Sequence, residues 1–336
     1  MPRVFSTYCR FPGLGILRLL GLLVGIAAGA GFGATAAWGQ ETPVPKLRVV
    51  EAAPLSAWDA RFAPSDAWGG ADGAYSVPLS SDRILWLFGD TFTDASRRRM
   101  VNNSIAIARR TQSGDRTDWN VDFYFGHDAE GRRTSWVVPR DGRGFFWLLA
   151  GVRLDDCAVL VAAQIEHTHT GGPFGFRQIG QWLLVVENPD AEVASWRIEQ
   201  YAIPHFLDTP ERSIVFGLSL VLHKGWLYVY GYDEDRLAKP FPNKRLIVAR
   251  VESHKLTDFD TWRFFDGTDW TADFRRAKPL FGGAASEGSV TYSADRRCFE
   301  IVYTAIGLSP RILYRNAVAP TGPWSEPLLL YTCPEG

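Results

Sequence analysis

The chain has 336 residues, 46% of them apolar and 13% aromatic, with 36 basic and 37 acidic side chains for a net charge of −1. That balance, with Lys and Arg scattered and no basic stripe, excludes a reader of phosphate backbones, so no nucleic acid partner is expected. Four cysteines in so long a chain exclude a small disulfide-built scaffold.

The first residues carry Arg3, Arg10 and Arg18 and no acid, and an apolar run rich in Leu, Gly and Ala follows over 19–37. This is the order of a secretory signal peptide, with Ala37-Trp38-Gly39 as a small-x-small cleavage site. An uncleaved anchor is the alternative, since about 19 apolar residues just span a bilayer. The dilution by small residues and the lack of a stop-transfer cluster favour cleavage. The expectation is a signal peptide over 1–39 and a single domain over 40–336, secreted or periplasmic, monomeric and free of the membrane. No linker-like stretch or composition break divides the remaining 297 residues. Cys9 leaves with the signal, and Cys298 with Cys333 is the pair to test for a bridge pinning the C-terminus. Three buried thiols, counting Cys157, are the alternative.

The stretch 68–103 reads as two adjacent strands joined by the turn signal Ser80-Ser81-Asp82. Asp72 heads the first strand and Asp90 ends the second, so a hairpin folded at that turn brings the two carboxylates together. Paired acids at a strand-end rim suit glycosidic bond cleavage: one protonates the leaving oxygen and the other acts on water or on the sugar carbon. The competing reading is local, with Asp72 capping a tight turn before Gly73 and Asp90 forming an Asx-turn with Thr91.

A weak repeat follows this hairpin along the chain. GAYSVPLSSDRILWLFGD, SWVVPRDGRGFFWLLAG, FGLSLVLHKGWLYVYG and GSVTYSADRRCFEIVYT each pair a strand and a turn with an aromatic strand. The aromatic strands begin near Trp86, Trp147, Trp226 and Phe299, intervals of 61, 79 and 73 residues that suit four-stranded propeller blades with insertions. Further runs at 104–109, 157–165, 182–187, 246–252 and 311–316 read as outer blade strands, and helical periodicity is nearly absent. The fold class is therefore all-β, a β-propeller, with an irregular β-sandwich as the alternative. A fifth blade is closed in this reading by 328–332 pairing with 47–52, which also hides the sheet edges.

The Asp-Gly-x-x-Ser element at Asp72 and the Trp-x-Phe-Gly-Asp-Thr element at Asp90 carry a family resemblance. So do the Trp136 segment, FGLSLVL with LYVYG, LIVARV with WRFFDG, and the terminal GPWSEP. Together they resemble a group of secreted five-bladed propellers that includes endo-acting arabinanases cutting D-arabinan. The group is similar in architecture to propeller glycosidases acting on L-arabinan, xylan and fructans. The resemblance implies that Asp72 and Asp90 are the catalytic pair and that the partner is a polysaccharide or oligosaccharide, with no cofactor.

Glu287 opens the fourth repeat hairpin, and related propeller glycosidases take an acidic proton donor from a later blade, which makes it the rival to one aspartate. A solvated turn Glu before Gly288 is the plain alternative. Sugar sites use flat apolar faces ringed by polar groups. Trp68, Tyr75, Trp136 and Phe216 sit near the heads of inner strands, and Asn102, Asn103 and Arg140 are placed to bond hydroxyls. His167-Thr168-His169 has a zinc-capable spacing but no third ligand in reach, so no metal is expected. A carbohydrate-binding or surface-interaction propeller without turnover, or a rigid scaffold, is the other functional class these residues fit.

Overall fold

The computed structural model describes residues 47–113, 116–168, 175–240, 242–307 and 309–334. Strands β1 (Gly70–Pro78), β2 (Arg83–Phe92), β3 (Ser104–Ser113) and β4 (Arg116–Tyr124) make an antiparallel first sheet in chain order. The second sheet repeats the pattern with β5 (Phe145–Arg153), β6 (Ala158–His167), β7 (Phe176–Val186) and β8 (Ile198–Ala202). The third has β9 (Arg212–His223), β10 (Trp226–Asp235), β11 (Arg245–Glu252) and β12 (Arg263–Phe265), with short added strands. The fourth has β13 (Ala284–Ser293), β14 (Cys298–Ala305), β15 (Arg311–Ala317) and β16 (Leu328–Thr332). The first, third and fourth aromatic repeats of the sequence are the hairpins that open their sheets; the second was expected to be one too, but 135–144 form no strand and its aromatic run is the single opening strand β5, whose hairpin partner is β6.

The sheets stack face to face like blades. Innermost strand β5 packs against β1 and β9, and β9 packs against β13. Leu85, Leu87 and Ile107 of the first sheet meet Phe146, Leu160 and Leu184 of the second. Val159, Val161 and Leu183 then meet Phe216, Leu227 and Ile247. Tyr230, Leu246 and Val248 meet Val290, Phe299 and Ile301 of the fourth sheet. Strands clamped on both faces read as continuous apolar runs, as in Ile84-Leu85-Trp86-Leu87-Phe88 of β2, which is buried throughout.

Five blades were expected; among the described residues there are four sheets of four or more strands, beside a two-stranded ribbon of Gly126–His127 and Arg133–Thr134. Residues 47–52 form no strand, and β16 pairs with β15 alone instead of closing a ring with the N-terminal segment. The two end faces show why no further apolar partner is needed. A short helix, α1 (Ser56–Asp59), and the turn after it bring Trp58, Phe62 and Trp68 onto the outward face of the first sheet. There Trp68 stacks on Phe123 at 4.9 Å and Phe62 meets Trp86 edge-on at 5.0 Å. Each fully buried ring of this kind contributes roughly 1.5–3 kcal/mol. The fourth sheet ends on polar groups: Arg296 donates through Nε and Nη2 to both oxygens of Glu300, and the Tyr314 hydroxyl donates to Glu300 at 2.8 Å.

No disulfide joins Cys298 to Cys333. The Cys298 thiol is buried at the head of β14 and points at Glu300, 3.9 Å away, and burial pushes its pKa up. The segment 1–46, with its expected signal peptide, lies outside the described residues, as does His169. His167 is exposed beside the Phe145 ring. Among the described residues no group of three His, Cys, Asp or Glu is placed to hold a metal, and no helix is long and apolar enough to cross a membrane.

Candidate active site

All four innermost strands break register at the same depth. The breaks fall over 71–75 in β1, 148–151 in β5, 216–219 in β9 and 284–288 in β13. A bulge bends the strand and re-aims the extra residue. In β1 the extra residues include Asp72, followed by Gly73 and Ala74 at φ 85° and 75°. The bulge of β13 contains Glu287.

Asp72 folds back over the β2 backbone. A Cβ on Gly89 would collide with Asp72 Oδ1 and touch Trp147, so the glycine of the Phe-Gly-Asp segment is what admits the carboxyl. Asp72 stays open to solvent, yet the surrounding protein deprives its charge of water. That burial, then the Asp90 charge and then the Glu287 charge, raise its pKa from 3.8 to about 6, against the opposing pull of the Asp90 backbone N–H. Asp90 is oriented by two donors: Trp147 Nε1 at 2.9 Å and Asn102 Nδ2 at 3.3 Å both reach its Oδ1. The Tyr75 hydroxyl is held far above its ordinary pKa by burial and by the charges of Glu287 and Asp72, so it keeps a proton it can donate.

A second shell of charge backs Glu287. Lys244 Nζ donates to Ser286 Oγ and sits 4.5 Å from the centre of the Tyr232 ring. Burial lowers the Lys244 pKa, while Glu234 and Glu287 pull it up. Glu234, 6% exposed, pairs with Arg236 at 3.7 Å, and Arg236 also bonds Asp208.

The structure brings Asp72, Asp90, Glu287, Tyr75 and Asn102 together and places the other sequence candidates elsewhere. Trp68, 1% exposed, belongs to the aromatic seal of the first sheet, and Phe216, also 1% exposed, packs on Phe264 in the core between the second and third sheets. Asn103 is fully buried and serves as a strut: its side chain bonds the carbonyls of Val137 and Phe146 and accepts from the Val137 N–H. Trp136 is half-buried edge-to-face with Trp196, and Arg140 lies over the Trp182 ring of the second sheet. Sequence reasoning missed Trp147, Gly89, Lys244 and Ser286. Only Trp147 left a signal, as the aromatic head of the second repeat.

The fold and the carboxylate cluster at its innermost strands define an all-β protein built from blade-like sheets around a polar centre. The chain belongs to the family described as a domain of unknown function, DUF5005, whose model matches residues 56–336. Notoamide biosynthesis cluster protein J' of Aspergillus versicolor is 32% identical over 104 residues, which are 30% of this chain and 27% of the relative. The chain thus matches under a third of that relative's length. A candidate hydrolase from Bacteroides ovatus shares the fold at TM-score 0.61 and 16% identity, over 83% of this chain and 74% of its own. A looser likeness, TM-score 0.44 at 16% identity over 79% and 76% of the two chains, is to the GH43_1 enzyme of Xanthomonas citri complexed with xylose.

Proposed function

We propose that this protein is a glycoside hydrolase acting on a furanose-containing, arabinan-like polysaccharide. The observation that carries the reading is Asp72, whose carboxyl has a pKa of about 6 and lies beside a second aspartate oriented by two N–H donors, with the Glu287 charge acting on it as well. A carboxyl that holds its proton close to neutral pH suits donation to a glycosidic oxygen, and a neighbouring carboxylate suits attack on the sugar carbon or activation of water. In this reading Asp72 is the proton donor, Asp90 the nucleophile or base, and Glu287 a further charge that adds to burial and Asp90 in keeping Asp72 protonated. Tyr75 donates to the acids or to a sugar hydroxyl. The basic and apolar residues at 3–37 support export, and the two sealed end faces support a monomer.

The test is to incubate the protein with arabinans, arabinogalactans and xylans and to separate the products. Released oligosaccharides from an arabinan, absent with Asp72→Asn, are expected. Binding to these glycans with no product from any of them would replace the reading with that of a carbohydrate-binding propeller.

A further inference from the structure

The third sheet holds a second concentration of charge. Arg212 opens β9, Asp233 lies near the end of β10 and Arg245 opens β11. Asp233, 2% exposed, accepts from Arg212 Nε and from Arg245 Nη2, both at 2.7 Å. The loop beyond β12 closes over them, pinned by Arg212 Nη2 on the Arg275 carbonyl at 3.3 Å. These elements line a cavity of about 550 Å³.

Its charge does not balance. Five cationic side chains, Arg212, Arg245, Arg275, Arg276 and Lys278, face two carboxylates, Asp233 and Asp266. Asp233 is shared by two arginines, and Asp266 pairs with Arg276 at 3.1 Å. Arg275 rests on the Phe274 ring at 4.6 Å, and neither it nor Lys278 has an ion pair among the described residues. Arg245 Nε is buried without a hydrogen-bond partner. The cavity wall carries no aromatic ring, so it offers no stacking face to a neutral sugar. Guanidinium forks and a lysine around an open volume match the oxygens of a carboxylate or a sulfate.

The cavity and the acid cluster flank the same strand end. Lys244, just ahead of β11, turns to Ser286 and Glu287, while Arg245, which opens β11, turns to Asp233 and the cavity. We infer that the cavity is an oxyanion subsite for carboxylate or sulfate groups carried by the furanose-containing glycan whose scissile bond lies at Asp72 and Asp90, an inference that rests on the glycosidase reading above.

Binding is measured calorimetrically on Asp72→Asn protein, so that turnover plays no part. The probes are tetragalacturonate, a chondroitin sulfate tetrasaccharide, neutral arabinotetraose and inorganic sulfate. One or both acidic oligosaccharides are expected to bind at least about tenfold more tightly than arabinotetraose, with an advantage that shrinks as salt rises. The tighter of the two identifies the source of the oxyanion. Arg275→Gln with Lys278→Gln removes the two unpaired cations and leaves the Asp233 bridges in place. It should abolish the advantage and leave arabinotetraose binding unchanged, and the single exposed change Lys278→Gln should reduce the advantage if the double variant does not fold. Equal affinity for acidic and neutral probes, an unchanged preference in the folded variants, or inorganic sulfate binding as tightly as the oligosaccharides would overturn the inference. Hydrolysis is assayed separately on the unaltered protein: acidic preference without any product would sink the hydrolase reading alone.

Discussion

The bulges of β1 and β13 and those of β5 and β9 are the same backbone device with opposite contents. In β1 and β13 the extra residues include Asp72 and Glu287, whose charges act on each other, with Asp90 at the end of β2 beside Asp72. In β5 and β9 they include Leu149, Ala150, Gly217 and Leu218, which feed the apolar layers on either side. Packing alone therefore accounts for two of the four breaks. The other two place carboxylates where burial and like charge oppose their ionisation, an arrangement that costs stability and recurs at functional sites.

Substitutions at both kinds of position sharpen that contrast. The largest effect is expected at the acids: Asp72→Asn and Asp90→Asn keep the side-chain shape, and each should lower turnover by roughly 10²- to 10⁴-fold while melting no lower than the parent protein. Undiminished turnover in a folded variant would remove that aspartate from the chemistry. Gly89→Ala comes next. The added methyl displaces the Asp72 carboxyl, and a shift of about 1 Å in a reacting group is worth about 10²-fold; a variant as active as the parent would show that the carboxyl does not work from its place over Gly89. Phe216→Ala should do the reverse, destabilising the protein by about 3–5 kcal/mol while turnover per folded molecule holds. Loss of turnover without loss of stability would return Phe216 to the site.

The smallest effect is a pH signature. The Asp72 pKa is higher in the folded chain, about 6 against 3.8, so the native state binds this proton more tightly and the contribution of Asp72 to stability declines as pH rises from about 4 through 6. Asp72→Asn should therefore melt at a higher temperature than the parent at pH 7, with the difference vanishing near pH 4. A parent enzyme that uses Asp72 as its acid should also lose turnover as pH climbs past about 6. A difference in melting temperature that does not change with pH would remove the burial argument.

Three of the four hairpins were legible because aromatic and β-branched runs broken by turn residues are local signals, and the open end of the first hairpin fixed where Asp72 and Asp90 had to meet; the second was misplaced because 135–144 has strand composition but forms a loop. The blade count was not legible, because what seals the first sheet is an aromatic segment with no strand pattern, and what ends the fourth is an ionic network. Trp68, Asn103 and Phe216 looked available for sugar because burial is set by distant chain; only the packed sheets show them enclosed. For the same reason Trp147 and Lys244 went unseen: their partners Asp90 and Ser286 lie 57 and 42 residues away.

The aromatic seal bears on how the molecule comes into being. Helix α1, the Phe62 turn and all four strands of the first sheet lie within residues 56–124, so a chain leaving the ribosome can bury one whole face of that sheet before the second sheet has been made. Asp72 is then already in its bulge over Gly89, but Glu287 is 215 residues further on and arrives with the fourth sheet. The carboxylate cluster thus comes together only once the fourth sheet has been made, and a chain cut short before β13 keeps a folded beginning and has no complete site.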